Sequence, residues 1–114
     1  MNKPVALSFT EEAENMMTEL TLKAMKSKRE KSLIRAIRQK LSLIKQNPFI
    51  GQPVSKNLIP AEYILKYNID SLFRIELPQY WRMHYTLKGN EIEILAFILD
   101  IMDHKKYSRK FNYK

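Results

Sequence analysis

The chain contains no cysteine and only two glycines among its 114 residues. Without cysteine it has no disulfide framework, no thiolate nucleophile and no zinc site of the cysteine type. Two glycines are too few for a glycine-rich phosphate-binding loop. No stretch reaches the roughly twenty apolar residues of a membrane-spanning helix, and the N-terminus lacks the hydrophobic run of a signal peptide. We therefore expect a soluble, cytoplasmic protein with no membrane partner.

The length and the 45% hydrophobic content predict one domain spanning residues 1–114, with a core that needs neither disulfides nor metals. His84 and His104 lack the partner spacing of a metal site, so we predict no metal and no cofactor. The formal net charge of +8 predicts attraction to polyanions or to an acidic protein, and charge alone does not choose between them.

Two amphipathic segments follow a short apolar run at the N-terminus, and both predict helices. A capping box at Ser8-Phe9-Thr10-Glu11 predicts the start of the first helix, and a polar break at Ser27 to Glu30 separates the two. The second segment ends near Asn47-Pro48. The stretch from Phe49 to Ser71, which contains Gly51 and two prolines, is predicted as a connecting loop.

The stretch from Phe73 to Leu87 alternates apolar and polar residues, which predicts two strands joined by a turn. Lys88-Gly89-Asn90 predicts a tight turn, and Glu91 to Leu99 a third strand. Together these elements predict an α+β fold: an N-terminal strand and a two-helix antiparallel hairpin packed on a small antiparallel β-sheet. In the third strand, Ile92, Ile94, Ala96 and Ile98 should line the helix-covered face. The face away from the helices is also apolar, so either the C-terminal tail or a partner should cover it.

The same alternation divides the side chains of the first two strands between two faces. The apolar residues, which should face the core, are Phe73, Ile75, Leu77, Trp81, Met83, Tyr85 and Leu87. The opposite face receives Arg74, Glu76, Arg82 and His84. Two guanidiniums, a carboxylate and an imidazole on one rigid surface can hold a phosphate and move a proton.

The basic residues form two groups outside this sheet. The first lies along the predicted helices from Lys23 to Lys40, and we interpret it as a solvated helix face. The second is the tail from His104 to Lys114, which contains no acidic residue. In the tail, three aromatic residues, Tyr107, Phe111 and Tyr113, alternate with cations. This pattern favours RNA contact through Lys105, Lys106, Arg109 and Lys110.

Four features taken in order resemble the RelE/ParE superfamily of type II toxin-antitoxin toxins. They are the helical hairpin, the Asn47 to Pro53 junction, the strand Trp81-Arg82-Met83-His84-Tyr85, and the closing segment Asp103 to Tyr107. The resemblance spans nearly the whole chain from Val5 onward. It implies a ribosome-dependent mRNA endonuclease or, in the ParE branch, an inhibitor of DNA gyrase.

The resemblance also implies roles for single residues. Arg82 matches the family's phosphate-binding arginine, and Arg74 and Glu76 fall where RelE-type ribonucleases place two lysines. The segment that holds His104, Lys105 and Tyr107 matches the one that supplies a further cation or histidine and a stacking tyrosine. This chain departs from the pattern at Glu76, which is an anion where the family has a cation, and in the compressed spacing of the closing segment.

Metal-free RNA cleavage needs a base for the 2′-hydroxyl, an acid for the 5′-oxygen, and cations for the charge that develops on phosphorus. Glu76 or His84 can be the base, Arg74 and Arg82 the clamp, and His104 or Tyr107 the acid. Trp81, Tyr85 or Tyr107 can stack a base. The structural alternative is that Arg74 and Glu76, or Arg82 and Glu93, form ordinary ion pairs.

The sequence thus predicts a type II toxin that cleaves mRNA, with two alternatives open. One is a ParE-like toxin that inhibits gyrase without catalysis, and the other is an inactive member that only binds its antitoxin. The expected partners are the ribosome with its mRNA and a cognate acidic antitoxin, which can form a hetero-oligomer with the toxin. We expect an acidic amphipathic antitoxin segment to cover Leu95, Phe97 and Leu99.

Overall fold

The computed structural model describes residues 3–111, an α+β fold in which a helical hairpin covers one face of a five-stranded sheet. Its helices are α1, Glu11–Ala24, and α2, Lys28–Gln46. Helix α1 starts two residues later than a cap at Ser8 would place it, because the N-cap is Thr10, whose Oγ1 atom accepts the backbone N–H of Ala13 at 3.1 Å. Helix α2 begins at the predicted polar break and ends before Asn47.

The sheet has the strand order β1-β5-β4-β3-β2. The strands are β1, Val5–Phe9; β2, Gln52–Pro53; β3, Phe73–Glu76; β4, Arg82–Gly89; and β5, Ile94–Met102. Strand β1 runs parallel to β5 and the other neighbours are antiparallel, so the predicted antiparallel sheet is in fact mixed. Parallel strands need a long connection, and here the helical hairpin and strands β2 to β4 lie in the chain between β1 and β5.

The faces predicted for β3 and β4 are confirmed. Ile75, Met83 and Tyr85 are buried in the core against the helical hairpin. Phe73, Trp81 and Leu87 pack at the edge of this core and are only partly buried. The alternation of apolar and polar residues predicted the faces correctly because α1 and α2 cover one face of both strands.

The third strand begins three residues later than predicted. The Oδ1 atom of Asn90 accepts the backbone N–H groups of Ile92 and Glu93, at 2.8 and 2.9 Å, which holds both residues in the turn. Ile92 is consequently 77% exposed and does not line the helix-covered face. A bulge then breaks the pairing opposite His84 and Tyr85, where Asp100 pairs with His84 and Ile98 with Tyr85.

A second layer covers the other face of the sheet. The predicted connecting loop contains β2, a 3-10 turn at Lys56–Leu58 and helix α3, Ala61–Tyr67. The tail forms helix α4, His104–Lys110. These elements bury Leu99 completely in a second apolar cluster with Ile59, Tyr63, Ile69 and Leu72. The tail and the loop therefore cover this strand, and Leu99 is closed to the antitoxin segment expected on it.

Candidate functional site

The site is centred on Glu76, whose carboxylate lies between two guanidiniums. Pairing of β3 with β4 sets Glu76 opposite Arg82 and Arg74 opposite His84. The Oε1 atom of Glu76 lies 3.1 Å from Nε of Arg74, and Oε2 lies 3.2 Å from Nε of Arg82. Neither Nε makes a hydrogen bond, so both contacts are ion pairs. The predicted pairing of Arg82 with Glu93 is wrong, because Glu76 takes that position.

The two arginines differ from Glu76 in exposure. Their side chains are 24% and 13% exposed, whereas the side chain of Glu76 is 56% exposed. The carboxylate therefore faces solvent above two guanidiniums that are packed into the surface. Screening by water makes such an exposed ion pair worth at most about 1 kcal/mol, so a competing anion can displace it.

Helix α4 contacts both arginines through Tyr107. Nη1 of Arg74 donates to Oη of Tyr107 at 2.7 Å, and Nη2 donates to Oε1 of Gln52 at 2.7 Å. The guanidinium carbon of Arg82 lies 4.6 Å from the centre of the Tyr107 ring, within the range of a cation–π contact. The clamp is thus fixed by contacts from β2 and α4 as well as by its own strands.

His104 lies at the solvent edge of the clamp, at the start of α4. Its Nδ1 atom is 3.3 Å from Nη1 of Arg82. Because a guanidinium has only donors, we assign Nδ1 as the acceptor and the ring proton to Nε2, which lies 3.4 Å from Oγ of Ser108. The structure therefore brings five of the predicted residues together: Arg74, Glu76, Arg82, His104 and Tyr107.

The turn between β3 and β4 adds Tyr80, which the sequence analysis did not select. Gln79 and Tyr80 have φ angles of 63° and 64°, an uncommon conformation for residues other than glycine. Nη1 of Arg82 donates to the Tyr80 carbonyl, and Gln79 exchanges two hydrogen bonds with Arg29 of α2. The Tyr80 side chain is left 73% exposed, with its ring centre 6.0 Å from that of His104.

His84 points to the predicted face but cannot act there as a general base, because it is 0% exposed. Its ring lies against Tyr107 and Phe111, with ring centres 5.8 and 4.8 Å away. Its Nδ1 atom is 2.7 Å from Oδ1 of Asp100. The alternation predicted the side of the sheet correctly, but it carried no information about the helix that covers it.

Asp100 is shared between His84 and Tyr63, whose hydroxyl donates to Oδ2. Burial raises the pKa of Tyr63 far above its usual value, and the adjacent carboxylate of Asp100 raises it further. Burial also raises the pKa of Tyr85, although the N–H of Gly51, which donates to its hydroxyl, opposes this shift. We interpret the His84, Asp100 and Tyr63 group as the support of α4 beneath the clamp.

The aromatic residues predicted to stack a base are not placed for that role. Trp81 is half-buried on the helix-covered side of the sheet, opposite the clamp. Tyr85 is fully buried, and Tyr107 is 6% exposed beneath the Arg82 guanidinium. Tyr80 is the exposed aromatic side chain beside His104, and its position just before Trp81 in a turn gave a weak signal for this.

The predicted RNA-binding cations of the tail fall into two groups, exposed cations and cations close to carboxylates. Lys105 and Arg109 are exposed on α4. Lys106 lies 3.9 Å from Glu12 of α1. Lys110 lies 3.3 Å from Glu62 with its side chain only 13% exposed, so it ties α4 to α3. Tyr113 lies outside the described residues.

Asp100 was missed because strict alternation from Ala96 and Ile98 assigns it to the helix-covered face. The bulge places Leu99 and Asp100 in succession on the other face. Tyr63 and Gln52 were missed because the loop that carries them shows no clear periodicity. The one signal in the sequence was the position of Asp100 inside an otherwise apolar strand, where a carboxylate needs a buried partner.

Within residues 3–111, no three His, Cys, Asp or Glu side chains are grouped so that they could hold a metal ion. In the same range no helix is both long and apolar enough to cross a membrane. Comparison with known proteins found no matching family model, no matching curated protein and no matching solved structure.

Proposed function

We propose that this chain is the toxin of a type II toxin-antitoxin system, a RelE-like endoribonuclease that cleaves mRNA on the ribosome. The observation that carries the proposal is the contact of one exposed carboxylate, Glu76, with two packed guanidiniums, next to the exposed imidazole of His104. A carboxylate, two fixed cations and an imidazole are sufficient for RNA cleavage through the 2′-hydroxyl.

In this mechanism Glu76 removes the proton from the 2′-hydroxyl, and the 2′-oxygen attacks the adjacent phosphorus. The bond from phosphorus to the 5′-oxygen breaks, and His104 gives a proton to that oxygen. The products are a 2′,3′-cyclic phosphate and a free 5′-hydroxyl. Arg74 and Arg82 neutralise the charge that develops on the phosphoryl oxygens, a role for which the fixed guanidinium plane is well suited.

Arg82 has a donor available for this task. Its Nε contacts Glu76 and its Nη1 contacts Tyr80 and His104, while Nη2 has no hydrogen-bond partner in the part of the chain that the structure describes. A phosphate bound to Arg82 draws Nη1 away from the Nδ1 atom of His104. With Nδ1 released from Arg82, His104 is placed to serve as the acid.

Dependence on the ribosome is supported by the shape of the site. Glu76, Tyr80 and His104 all have exposed side chains, so the reacting groups stand at the open surface of the protein. Correct orientation of the reacting atoms is worth many orders of magnitude in rate. An open site of this kind needs an mRNA that the ribosome already holds in the reactive orientation. Tyr80 can stack one base of that mRNA.

The proposal includes an acidic antitoxin as the partner that silences the toxin. A negatively charged segment over the clamp would compete with phosphate for Arg74 and Arg82. Because Leu99 is closed by α3 and α4, only the partly buried Leu95 and Phe97 of the predicted stripe can contribute to the apolar part of that contact.

One observation favours a second candidate, a ParE-like toxin that binds gyrase without catalysis. Glu76 already neutralises part of the charge of both arginines, as it would in a purely structural ion-pair network. The two candidates differ in what they require of His104 and Glu76, because a binding surface has no need for a proton donor and acceptor.

The deciding experiment is mRNA cleavage in a reconstituted translation reaction, with ribosomes present or omitted and with gyrase supercoiling measured in parallel. We expect cleavage only with ribosomes, no effect on supercoiling, and loss of cleavage in Arg82→Ala. Inhibition of supercoiling with intact mRNA would replace the ribonuclease by the second candidate. Cleavage by Arg82→Ala at the wild-type rate would remove Arg82 from the mechanism.

A further inference from the structure

Helix α2 carries a continuous basic stripe on its outer side. Its buried residues, Leu33, Ile34, Ile37, Leu41 and Ile44, fix the side that faces the core. Apart from Arg29, which bonds to Gln79, the exposed residues of α2 form this basic stripe: Lys28, Lys31, Ser32, Arg35, Arg38, Gln39, Ser42, Lys45 and Gln46. All nine residues of this basic stripe are exposed.

The cations of the basic stripe are not neutralised by the protein. Among the salt bridges that the structure shows in residues 3–111, none involves Lys28, Lys31, Arg35, Arg38 or Lys45. The single carboxylate of α2, Glu30, lies toward the core side of the helix and is partly buried. The counterions that solution supplies to these five cations are therefore free to be released when a polyanion binds.

The composition of the basic stripe favours a nucleic acid over a protein or a membrane as its partner. Protein interfaces need an apolar or aromatic centre, and the stripe has neither. The same absence disfavours a membrane surface, into which an amphipathic helix inserts apolar side chains. Lysine, arginine, serine and glutamine are the side chains that contact phosphate oxygens of a nucleic acid backbone.

The length and rigidity of α2 indicate a double helix rather than a flexible strand. At 1.5 Å per residue its 19 residues extend about 28 Å, somewhat less than one turn of a duplex of roughly 34 Å. Flexible single strands are usually held by exposed aromatic side chains, which the stripe lacks. The neighbouring α1 carries Glu11, Glu14 and Glu19, whose charge repels phosphate and limits the contact to α2.

We propose that the basic stripe of α2 binds the phosphate backbone of double-helical nucleic acid without reading its sequence. The sequence pattern favoured a solvated helix face for these cations. The absence of paired carboxylates and of apolar residues across the whole stripe favours a binding surface instead. This surface is separate from the clamp, so the inference stands whether or not the clamp cleaves RNA.

The test compares the wild type with Lys31→Gln/Arg35→Gln/Arg38→Gln, in which three charges are removed and helix propensity is kept. The matched control, Lys56→Gln/Lys66→Gln/Lys88→Gln, loses the same charge from exposed positions off α2. The probe is a labelled RNA duplex of about 20 base pairs, roughly two turns, with a DNA duplex of the same sequence beside it. Affinity is measured by fluorescence anisotropy across a salt series.

For the α2 triple variant we expect the slope of log affinity against log salt to become shallower by roughly two to three, with both duplexes. The control should keep most of the slope. Equal losses in the two triple variants would overturn the proposal, because net charge rather than the stripe would explain binding. Failure of the wild type to bind either duplex would also overturn it, as would binding only to polyglutamate or to vesicles with anionic lipid.

Discussion

Nδ1 of His84 and Oδ1 of Asp100 lie 2.7 Å apart on neighbouring strands, and both side chains are almost completely excluded from solvent. The pair lies directly beneath α4, where His84 contacts Tyr107 and Phe111. Since Tyr107 holds Arg74 and Arg82, the position of the clamp depends on this buried contact. Helix α4 thus links the buried His84–Asp100 pair to the two arginines of the clamp.

The substitution Asp100→Asn tests this link. It keeps the shape but replaces one accepting oxygen by a donor, so either His84 or Tyr63 loses its partner. We expect the free energy of unfolding to fall by about 1 to 3 kcal/mol, measured by urea denaturation. Asp70→Asn is the control, because Asp70 is exposed and its loss should cost less than about 0.5 kcal/mol. Equal stability of the two variants would contradict the proposed support of α4.

Tyr63 predicts how stability changes at alkaline pH. Above about pH 10 the unfolded chain releases the Tyr63 proton, whereas the folded protein, in which the pKa is raised, retains it. The folded state then binds more protons, so the free energy of unfolding falls as pH rises. In Tyr63→Phe this fall should be shallower by up to about 1.4 kcal/mol per pH unit, measured by denaturation between pH 10 and 12. An unchanged slope would show that Tyr63 ionises while the protein is folded.

Gly51 tests the packing of the junction against β4. An added Cβ would lie 2.8 Å from Oη of Tyr85 and 2.9 Å from Cβ of Phe73, so Gly51→Ala forces a shift in the core. We expect a loss of about 1 to 3 kcal/mol in the free energy of unfolding. Gly89→Ala is the matched control, because its nearest contact is 3.3 Å away and on an exposed turn. A loss in Gly89→Ala as large as that in Gly51→Ala would argue against this packing.

Tyr80 is expected to stack a base of the bound RNA. Tyr80→Ala should weaken binding of a short single-stranded RNA by about 1 to 3 kcal/mol, measured by anisotropy in a Glu76→Gln background that cannot cleave. Tyr80→Phe keeps the ring and should bind as the parent does. Equal weakening by both substitutions would show that the hydroxyl, or the conformation of the turn, matters more than the ring.

The sequence predicted the helical hairpin and the faces of β3 and β4 because each has one closed side and a clear period. Helices α3 and α4 were missed because each has seven residues, too few to show a helical period in a segment interrupted by proline or dominated by cations. The family resemblance pointed to Arg82 and His104, which lie 3.3 Å apart in the structure, but it could not show that His84 is covered. The position of Tyr80 is set by a turn and that of Asp100 by a bulge. Both features shift single residues, so the alternation of the sequence does not predict them.

Proton transfer by Glu76 and His104 is the central step of the proposed mechanism, and single-turnover cleavage of mRNA on ribosomes tests it most directly. Glu76→Gln and His104→Gln should each lower the cleavage rate by roughly 10² to 10⁴-fold. Their unfolding midpoints should stay near that of the wild type, because both side chains are exposed. Glu93→Gln, an exposed control off the clamp, should cleave at the wild-type rate. Cleavage by Glu76→Gln and His104→Gln at the rate of Glu93→Gln would contradict the proposed mechanism.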